Sequence, residues 1–209
     1  MIYLYYFFIF FFGASIGSFL NVLIDRLPQD KKITGRSICD HCHHQLSWYD
    51  LIPILSFFLL KGRCRYCRKK ISFQYPLVEI LSGLIFVFVF VFLLQITNNQ
   101  YQITNLRYWL LVISYWGLIS CFIVIFFSDV KYHLISDYIL LALFCFSLFF
   151  HLATNFNLFQ LISTYFFSSI IVAFPIWLIY FLSKEKAMGL GDVYLSAILG
   201  FLLGWQKGF

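Results

Sequence analysis

The stretch 76-PLVEILSGLIFVFVFVFLLQI-96 contains one charged residue, Glu79, in an otherwise uncharged and mostly apolar run. A helix needs roughly 20 such residues to cross a bilayer, so this stretch predicts a membrane-spanning helix. The composition extends through the chain, because 62% of its 209 residues are hydrophobic and only 11% are charged. A soluble domain of this length could not bury that much apolar surface. We therefore predict an all-α polytopic membrane protein.

Apolar runs of similar character recur along the whole chain. They cover residues 2–24, 76–96, 106–127, 138–153, 158–182 and 188–205. The fourth run is slightly short for a span, and we predict about six transmembrane helices. The first run lacks a basic start and is long for a secretory signal, so we expect a retained helix. Three segments follow: the first helix (1–24), a polar insert (25–75) and a helical bundle (76–209).

The basic residues predict the orientation of these helices. The insert holds ten of the fifteen lysines and arginines. Placing the insert in the cytosol and alternating the helices puts thirteen of the fifteen on the cytosolic side, as the positive-inside rule requires. The N-terminus then lies outside, and Asp129, Asp137 and Asp192 lie at the cytosolic face.

Two Cys-x2-Cys pairs, Cys39 with Cys42 and Cys64 with Cys67, lie in the insert and are separated by 21 residues. Four thiolates at this spacing form the tetrahedral ligand set that zinc prefers. Disulfides are disfavoured in the reducing cytosol, and vestigial or redox cysteines are the minority alternative. We predict a structural Zn²⁺ site that folds the insert, because four protein ligands leave no open position for chemistry.

The histidines and the positive charge of the insert suggest two other interpretations. Three histidines crowd the first cysteine pair, namely His41, His43 and His44, and one could replace a cysteine as ligand. Solvated loop histidines are the favoured interpretation. A basic zinc-binding insert also suggests nucleic acid, but it has no basic-aromatic repeat and no long basic run. We expect no nucleic-acid partner. Cys121 and Cys145 lie in spans, where we expect them to pack as small apolar residues.

Two acids stand at the edges of spans, where ionisable residues are costly and often functional. Asp129 ends the third apolar run and Asp192 begins the sixth, so both fall on the same side and at the same depth. Two carboxylates that share a site hold one proton between them. Such a pair can take a proton from water and polarise a peptide carbonyl, which is aspartic-protease chemistry.

Helix capping is the competing interpretation of these acids. Asp is a common N-cap, and spacing alone favours that role for both Asp192 and Asp137. Asp129 fits it poorly, because the helix dipole disfavours negative charge at a C-terminal end. Glu79 is interpreted as a structural acid, with a binding role inside the bundle as the alternative.

Two glycine pairs have a defined spacing. Gly189 and Gly191 are more glycines than a helix cap requires. Glycine allows unusual backbone angles or the close approach of another segment. Gly13 and Gly17 form a small-xxx-small pair, which is typical of a helix-packing surface.

Short motifs follow one another in order along nearly the whole chain. They are 17-GSFLNVLIDRLP-28, 47-SWYDLIP-53, 62-GRCRYC-67, 71-ISFQYPLVE-79, 129-DVKYHLISD-137, 189-GLGDVYL-195 and 203-LGWQ-206. With the two cysteine pairs, this order resembles the type IV prepilin leader peptidases, membrane aspartic proteases of the Gly-x-Gly-Asp kind. The chain departs from the usual pattern at four positions, His41, Gln74, Ser136 and Tyr194, and keeps every cysteine and both candidate catalytic acids.

The resemblance implies that Asp129 and Asp192 are catalytic, supported by Gly189, Gly191 and Asp137. It implies prepilin and pseudopilin substrates, cut on the cytosolic side of the bacterial inner membrane after the glycine that ends a basic leader. Many members of the family also N-methylate the new amino terminus with S-adenosylmethionine. That activity is associated with the cysteine-bearing insert, which this chain retains.

Three alternatives remain beside this interpretation. One is an intramembrane aspartic protease with a different substrate. Another is a transporter or proton pathway, which predicts polar residues along several spans, whereas these spans are rich in Phe, Leu and Ile. The last is a non-catalytic, zinc-bearing membrane scaffold, which predicts no effect of Asp129→Asn or Asp192→Asn.

Overall fold

The computed structural model describes residues 2–39, 41–96, 106–154, 161–183 and 188–204. Over these ranges the regular elements are helices, and extended pairing is limited to two isolated β-bridges. The α-helices in these ranges are α1 (Ile2–Arg26), α2 (Leu55–Leu59), α3 (Gln74–Ile96), α4 (Leu106–Tyr132), α5 (Asp137–Ala153), α6 (Phe167–Ser183) and α7 (Leu190–Leu203). The predicted all-α class is confirmed.

Six apolar helices occupy the six predicted places. Four candidate spans are long and apolar enough to cross a membrane: Tyr3–Gln29, Gln74–Gln95, Leu106–Tyr132 and Ser163–Ser183. The remaining two, α5 and α7, are shorter apolar helices of 17 and 14 residues. Some predicted segments extend beyond the described residues. These parts are residues 158–160 and 205, at the edges of the last two predicted runs, together with the end of the LGWQ motif and residues 184–187.

The chain forms two compact units, Met1–Ile96 and Thr97–Phe209. The first contains α1, the insert and α3, and the second contains α4 to α7. The division predicted from the sequence instead lies between residues 75 and 76, where the insert ends and the helical bundle begins. That division is one of function, and it stays a prediction.

Glycines let α1 and α3 pack closely and antiparallel in the first unit. A Cβ at Gly13 would lie 2.9 Å from the Cβ of Phe86, and a Cβ at Gly17 would overlap the hydroxyl of Ser82. On α3, Gly83 likewise leaves room for α1, because a Cβ there would overlap Phe10. The predicted packing role of Gly13 and Gly17 is therefore confirmed, and the partner helix is α3.

Polar side chains join these two helices at the end that carries the insert. The Asn21 Nδ2 group donates to the Tyr75 carbonyl oxygen at 3.1 Å, and the Tyr75 hydroxyl donates to Asp25 Oδ2 at 2.7 Å. The insert therefore starts and ends at neighbouring points, which fixes its base.

Close packing also positions the helices of the second unit. A Cβ at Gly117 of α4 would overlap the ring of Phe146 on α5. A Cβ at Gly200 of α7 would lie 2.7 Å from the carbonyl oxygen of Ser168 and 2.9 Å from the Cβ of Val172, both on α6. The helix that begins with the Gly-x-Gly-Asp motif is thus held against α6 near its C-terminal end.

Candidate functional site

The four cysteines of the insert converge in the first unit. The sulfur atoms of Cys39, Cys42, Cys64 and Cys67 all lie within 4.8 Å of one another, and those of Cys39 and Cys67 are 3.8 Å apart. Four sulfurs arranged tetrahedrally at the usual Zn–S distance of about 2.3 Å would be about 3.8 Å apart. The donor set and its spacing therefore fit a tetrahedral, thiolate-binding metal ion.

Both cysteine pairs are built by the same backbone turn. The Cys39 N–H donates to the His44 carbonyl at 3.0 Å, and the Cys64 N–H donates to the Lys69 carbonyl at 2.9 Å, with the same spacing in each pair. The residue after each pair has a positive φ, 53° at His43 and 60° at Arg68. The insert therefore presents two copies of one knuckle, which explains how distant cysteines reach a common point.

Backbone groups prepare one thiol of the first knuckle for ionisation. Burial raises the pKa of Cys39, but backbone N–H groups of Cys42 and His41 stabilise its thiolate and bring the pKa down to about 7. The backbone N–H of His44 lowers the pKa of Cys42, but burial and the hydrogen bond with Cys39 raise it to about 11. Metals bind the thiolate form, so the backbone groups around Cys39 favour metal binding there.

The other candidate ligands take different roles. Within the described ranges the metal-ligand cluster consists of the four cysteines, and the His44 ring instead packs on Tyr66 with centroids 3.7 Å apart. The interpretation of His41, His43 and His44 as loop residues that do not bind the metal stays a prediction. Cys121 is buried as expected, whereas Cys145 is exposed.

Asp50 organises the insert around the knuckles, a role that the sequence did not assign. Its side chain is 3% exposed, and its carboxylate accepts the Arg65 Nε–H at 2.7 Å, the Tyr66 hydroxyl at 3.4 Å and the Ser47 backbone N–H at 3.3 Å. These bonds join the segment between the knuckles to the second knuckle. The SWYDLIP motif contained the signal, since an acid between aromatic and apolar residues requires partners.

Glu79 of α3 holds the segment that follows. The residue is 8% exposed, and its Oε2 accepts the Ile54 backbone N–H at 2.7 Å, with a further hydrogen bond from the Ser18 side chain. The structural role predicted for Glu79 is supported, but the carboxylate satisfies a turn of the insert and not the start of its own helix.

In the second unit, Asp129 lies in the last turn of α4, as predicted. Its side chain is exposed, and its carbonyl oxygen accepts the His133 N–H at 2.9 Å. His133 has a φ of 53°, so the helix ends in a left-handed residue that is not glycine. Asp137 is the exposed first residue of α5, after the N-cap Ser136. It is therefore not itself the N-cap, although its charge suits the N-terminal end of the helix dipole.

Asp192 is the third residue of α7, and Gly189 is the N-cap. Asp192 Oδ2 accepts the Gly189 N–H at 3.3 Å, so the carboxylate takes part in capping from inside the helix, as one half of a capping box. The sequence favoured Asp192 as the N-cap, and this is wrong, because the N-cap is Gly189, three residues earlier. The side chain remains half-exposed, so capping does not exclude contact with water or a substrate.

Gly191 explains why the motif needs glycine before Asp192. A Cβ at Gly191 would lie 3.3 Å from the Cβ of Ile135, in the short segment that joins Asp129 to Asp137. The positive-φ glycines among the described residues are Gly35, Gly62 and Gly204, so close approach, and not unusual backbone angles, is the reason. The motif thus brings the start of α7 against the segment between the other two acids.

A buried histidine of α5 that contacts the C-terminal end of α7 was not singled out from the sequence. His151 of α5 is 4% exposed, and its Nε2 lies 3.0 Å from the carbonyl oxygen of Phe201, in the last turn of α7. A histidine within an apolar run is the sequence signal that could have found it. Together with Gly200, this contact fixes the helix that carries Asp192.

Comparison with protein families covers most of the chain. Residues 11–93 match the Bacterial Peptidase A24 N-terminal domain, and residues 116–209 match the Type IV leader peptidase family. A prepilin leader peptidase/N-methyltransferase of Klebsiella pneumoniae is 32% identical over 95% of this chain and 85% of its own length. A relative of that name from Dickeya chrysanthemi is 32% identical over 93% of this chain and 73% of its own.

The match to one relative is local and stronger. A prepilin leader peptidase/N-methyltransferase of Myxococcus xanthus is 52% identical over 80 residues, which are 38% of this chain and 24% of that protein. No solved structure matches the chain. From the long matches, the chain belongs to the type IV leader peptidase family.

Proposed function

We propose that this protein is a membrane aspartic endopeptidase that removes the leader peptides of prepilins and pseudopilins. Asp129 and Asp192 are the catalytic acids, and they act at the cytosolic face of the bacterial inner membrane. The observation that carries the proposal is the contact of Gly191 with Ile135, which joins the Gly-x-Gly-Asp motif to the Asp129–Asp137 segment. The names of the relatives supply the substrate class.

The chemistry requires one protonated and one ionised carboxyl group. The ionised acid takes a proton from a water molecule, whose oxygen attacks the scissile carbonyl carbon, while the protonated acid donates to the carbonyl oxygen. The tetrahedral intermediate then collapses: the C–N bond breaks, the leaving nitrogen takes a proton from the acid that gained one from water, and a hydroxyl group of the intermediate returns a proton to the other acid as the new carboxyl group forms.

The supporting residues have separable roles in this proposal. Gly191 permits the approach of α7 to Ile135, and Gly189 gives its N–H to Asp192. Asp137, the first residue of α5, is the supporting acid of this proposal. The half-exposed and exposed acids remain accessible to water and to a substrate that arrives through the membrane.

The four cysteines would hold a structural Zn²⁺. Their sulfurs supply a complete tetrahedral shell, so the ion would stabilise the insert and leave the hydrolysis to the acids. The exposed basic residues of the second knuckle offset the charge of four thiolates. Metal binding and folding of the insert would therefore be coupled.

N-methylation of the new amino terminus is the second activity that we infer, from the names of the relatives. S-adenosylmethionine would supply the methyl group. A cavity of about 280 Å³ beside the second knuckle is lined by Leu59, Leu60, Lys61, Arg63, Cys64, Arg65 and Arg68. Four cationic side chains repel the sulfonium of this cofactor, so that cavity does not fit it, and we derive no methylation step there.

The test is a cleavage assay in lipid vesicles with a prepilin from the same cell. We expect mass spectrometry to find cleavage after the glycine that ends the leader, and no such product with Asp129→Asn or Asp192→Asn. Asp30→Asn is the matched control: Asp30 is an exposed insert residue with a φ of 51°, a conformation that Asn also adopts. Cleavage by either catalytic-site variant at the parent rate would refute the proposal.

A further inference from the structure

An apolar face on the insert has no protein partner among the described residues. Five large apolar residues of the segment 48–59 are exposed: Trp48 and Leu51 on a 3₁₀-helix, and Leu55, Phe58 and Leu59 on α2. Leu59 is 80% exposed, Trp48 77% and Phe58 60%. So many exposed apolar side chains in one short segment of a polar insert indicate a contact with an apolar partner.

The opposite side of this segment is packed against the insert. A Cβ at Gly62 would lie 3.0 Å from the ring of Phe57, and the rings of Phe57 and Phe73 are 6.2 Å apart. The short helix α2 therefore has an inner side fixed by Phe57 and an outer side formed by Leu55, Phe58 and Leu59. The exposed side is a defined surface, since the inner contacts fix its direction.

The hydrogen bond from Ile54 to Glu79 places this surface beside two candidate membrane spans. Glu79 lies inside the candidate span Gln74–Gln95, five residues after its start. Ser18, which also bonds to Glu79, lies inside the candidate span Tyr3–Gln29. The start of α2 therefore lies against α3 at the depth where Glu79 and Ser18 meet.

The backbone is strained where it turns at this depth. Ile54 has a φ of 65° and a ψ of −54°, and the Leu55 N–H donates to the Pro53 carbonyl at 2.6 Å, which is a γ-turn with positive φ. A β-branched residue rarely adopts this conformation. The turn directs the Ile54 N–H to Glu79, and α2 follows it with Leu55, Phe58 and Leu59 exposed.

Positive charge follows the apolar face along the chain. The cavity at the end of α2 joins Leu59 and Leu60 to the cationic side chains Lys61, Arg63 and Arg68. Apolar residues followed by basic ones suit the boundary between acyl chains and anionic headgroups, where Trp is also favoured. A water-facing role explains the charges but not the apolar side chains.

We propose that residues 48–60 form an interfacial element that lies in the membrane leaflet on the side of the insert. Leu55, Phe58 and Leu59 contact the acyl chains, and the cavity lined by Lys61, Arg63 and Arg68 binds the headgroup of an anionic phospholipid. This element anchors the metal-binding insert at a fixed height beside α1 and α3. It holds whether or not the chain cleaves prepilins.

Tryptophan quenching tests this proposal in the full chain. The five native tryptophans are replaced by Phe, and Phe58→Trp is compared with Ile38→Trp, since Ile38 is an exposed apolar residue beside the first knuckle. In vesicles of phosphatidylcholine brominated near the headgroup end of its acyl chains, with phosphatidylglycerol, we expect the Phe58→Trp emission to fall by about twofold or more. The Ile38→Trp emission should not change.

The native sequence provides a second measurement if the tryptophan-free chain fails to fold. A photoactivatable phospholipid should label the peptide that contains Phe58, and phosphatidylglycerol should increase this labelling over phosphatidylcholine alone in the parent but not in Arg63→Gln/Arg68→Gln. Absence of both quenching and labelling at residue 58 would overturn the proposal. So would a Phe58→Trp emission that responds to an added prepilin and not to lipid, since the face would then bind a polypeptide.

Discussion

The cysteines of the first unit are enclosed by two copies of one backbone turn, whereas the acids of the second unit stand at helix ends with few contacts. The four sulfurs lie within 4.8 Å of one another, and Asp50 beside them accepts three hydrogen bonds. Asp129 and Asp137 are exposed, and Asp192 accepts one long bond from Gly189. A structural metal site must be enclosed, while a hydrolytic acid must reach water and substrate.

The largest expected effect tests the enclosed site. Cys64 is buried, so Cys64→Ser removes one of four ligands from the interior of the cluster, and we expect the bound metal to fall from about one per chain to none, as well as protease cleavage within residues 30–70. Elemental analysis and limited proteolysis measure both. Cys145→Ser, at an exposed cysteine of α5, is the control and should retain the metal. Full metal content in Cys64→Ser would show that the cluster is not a metal site.

A smaller effect is expected where the insert meets α3. Glu79→Leu leaves the Ile54 N–H without its acceptor, which should destabilise the turn by about 1–3 kcal/mol. Hydrogen exchange of residues 54–59 should then be about tenfold faster or more. Glu79→Gln keeps an acceptor oxygen and should change exchange less. Equal exchange in the parent and in Glu79→Leu would show that the hydrogen bond from Ile54 to Glu79 does not stabilise the turn.

The smallest effect separates the two motif glycines. Gly191→Ala places a Cβ 3.3 Å from Ile135, so α7 must shift by a few tenths of an ångström, and we expect prepilin cleavage to slow by about three- to tenfold. A Cβ at Gly189 has its nearest neighbours at 4.0 Å, so Gly189→Ala should stay within about twofold of the parent. Initial rates in vesicles measure the difference. Equal rates in the two variants would contradict the proposed contact.

Spacing and hydropathy predicted the parts of this protein that depend on local pattern. The six helices, the two cysteine pairs and the packing face of Gly13 and Gly17 follow from periodicity and residue type. The role of Glu79, the strained turn at Ile54 and the carbonyl contact of His151 depend on partners 25 to 50 residues away in sequence. The offset of Asp192 from the N-cap arises because α7 begins one residue before Gly191, a boundary that composition does not define.

The catalytic pair is tested most directly by comparing Asp129→Asn, Asp192→Asn and the double variant in one prepilin cleavage assay in lipid. If the two acids act as one catalytic unit, each single variant should lose about 10²–10⁴-fold in rate, and the double variant should lose no more than a single one. Losses that multiply in the double variant, or a single variant that cuts near the parent rate, would contradict the assignment of Asp129 and Asp192 as a catalytic pair.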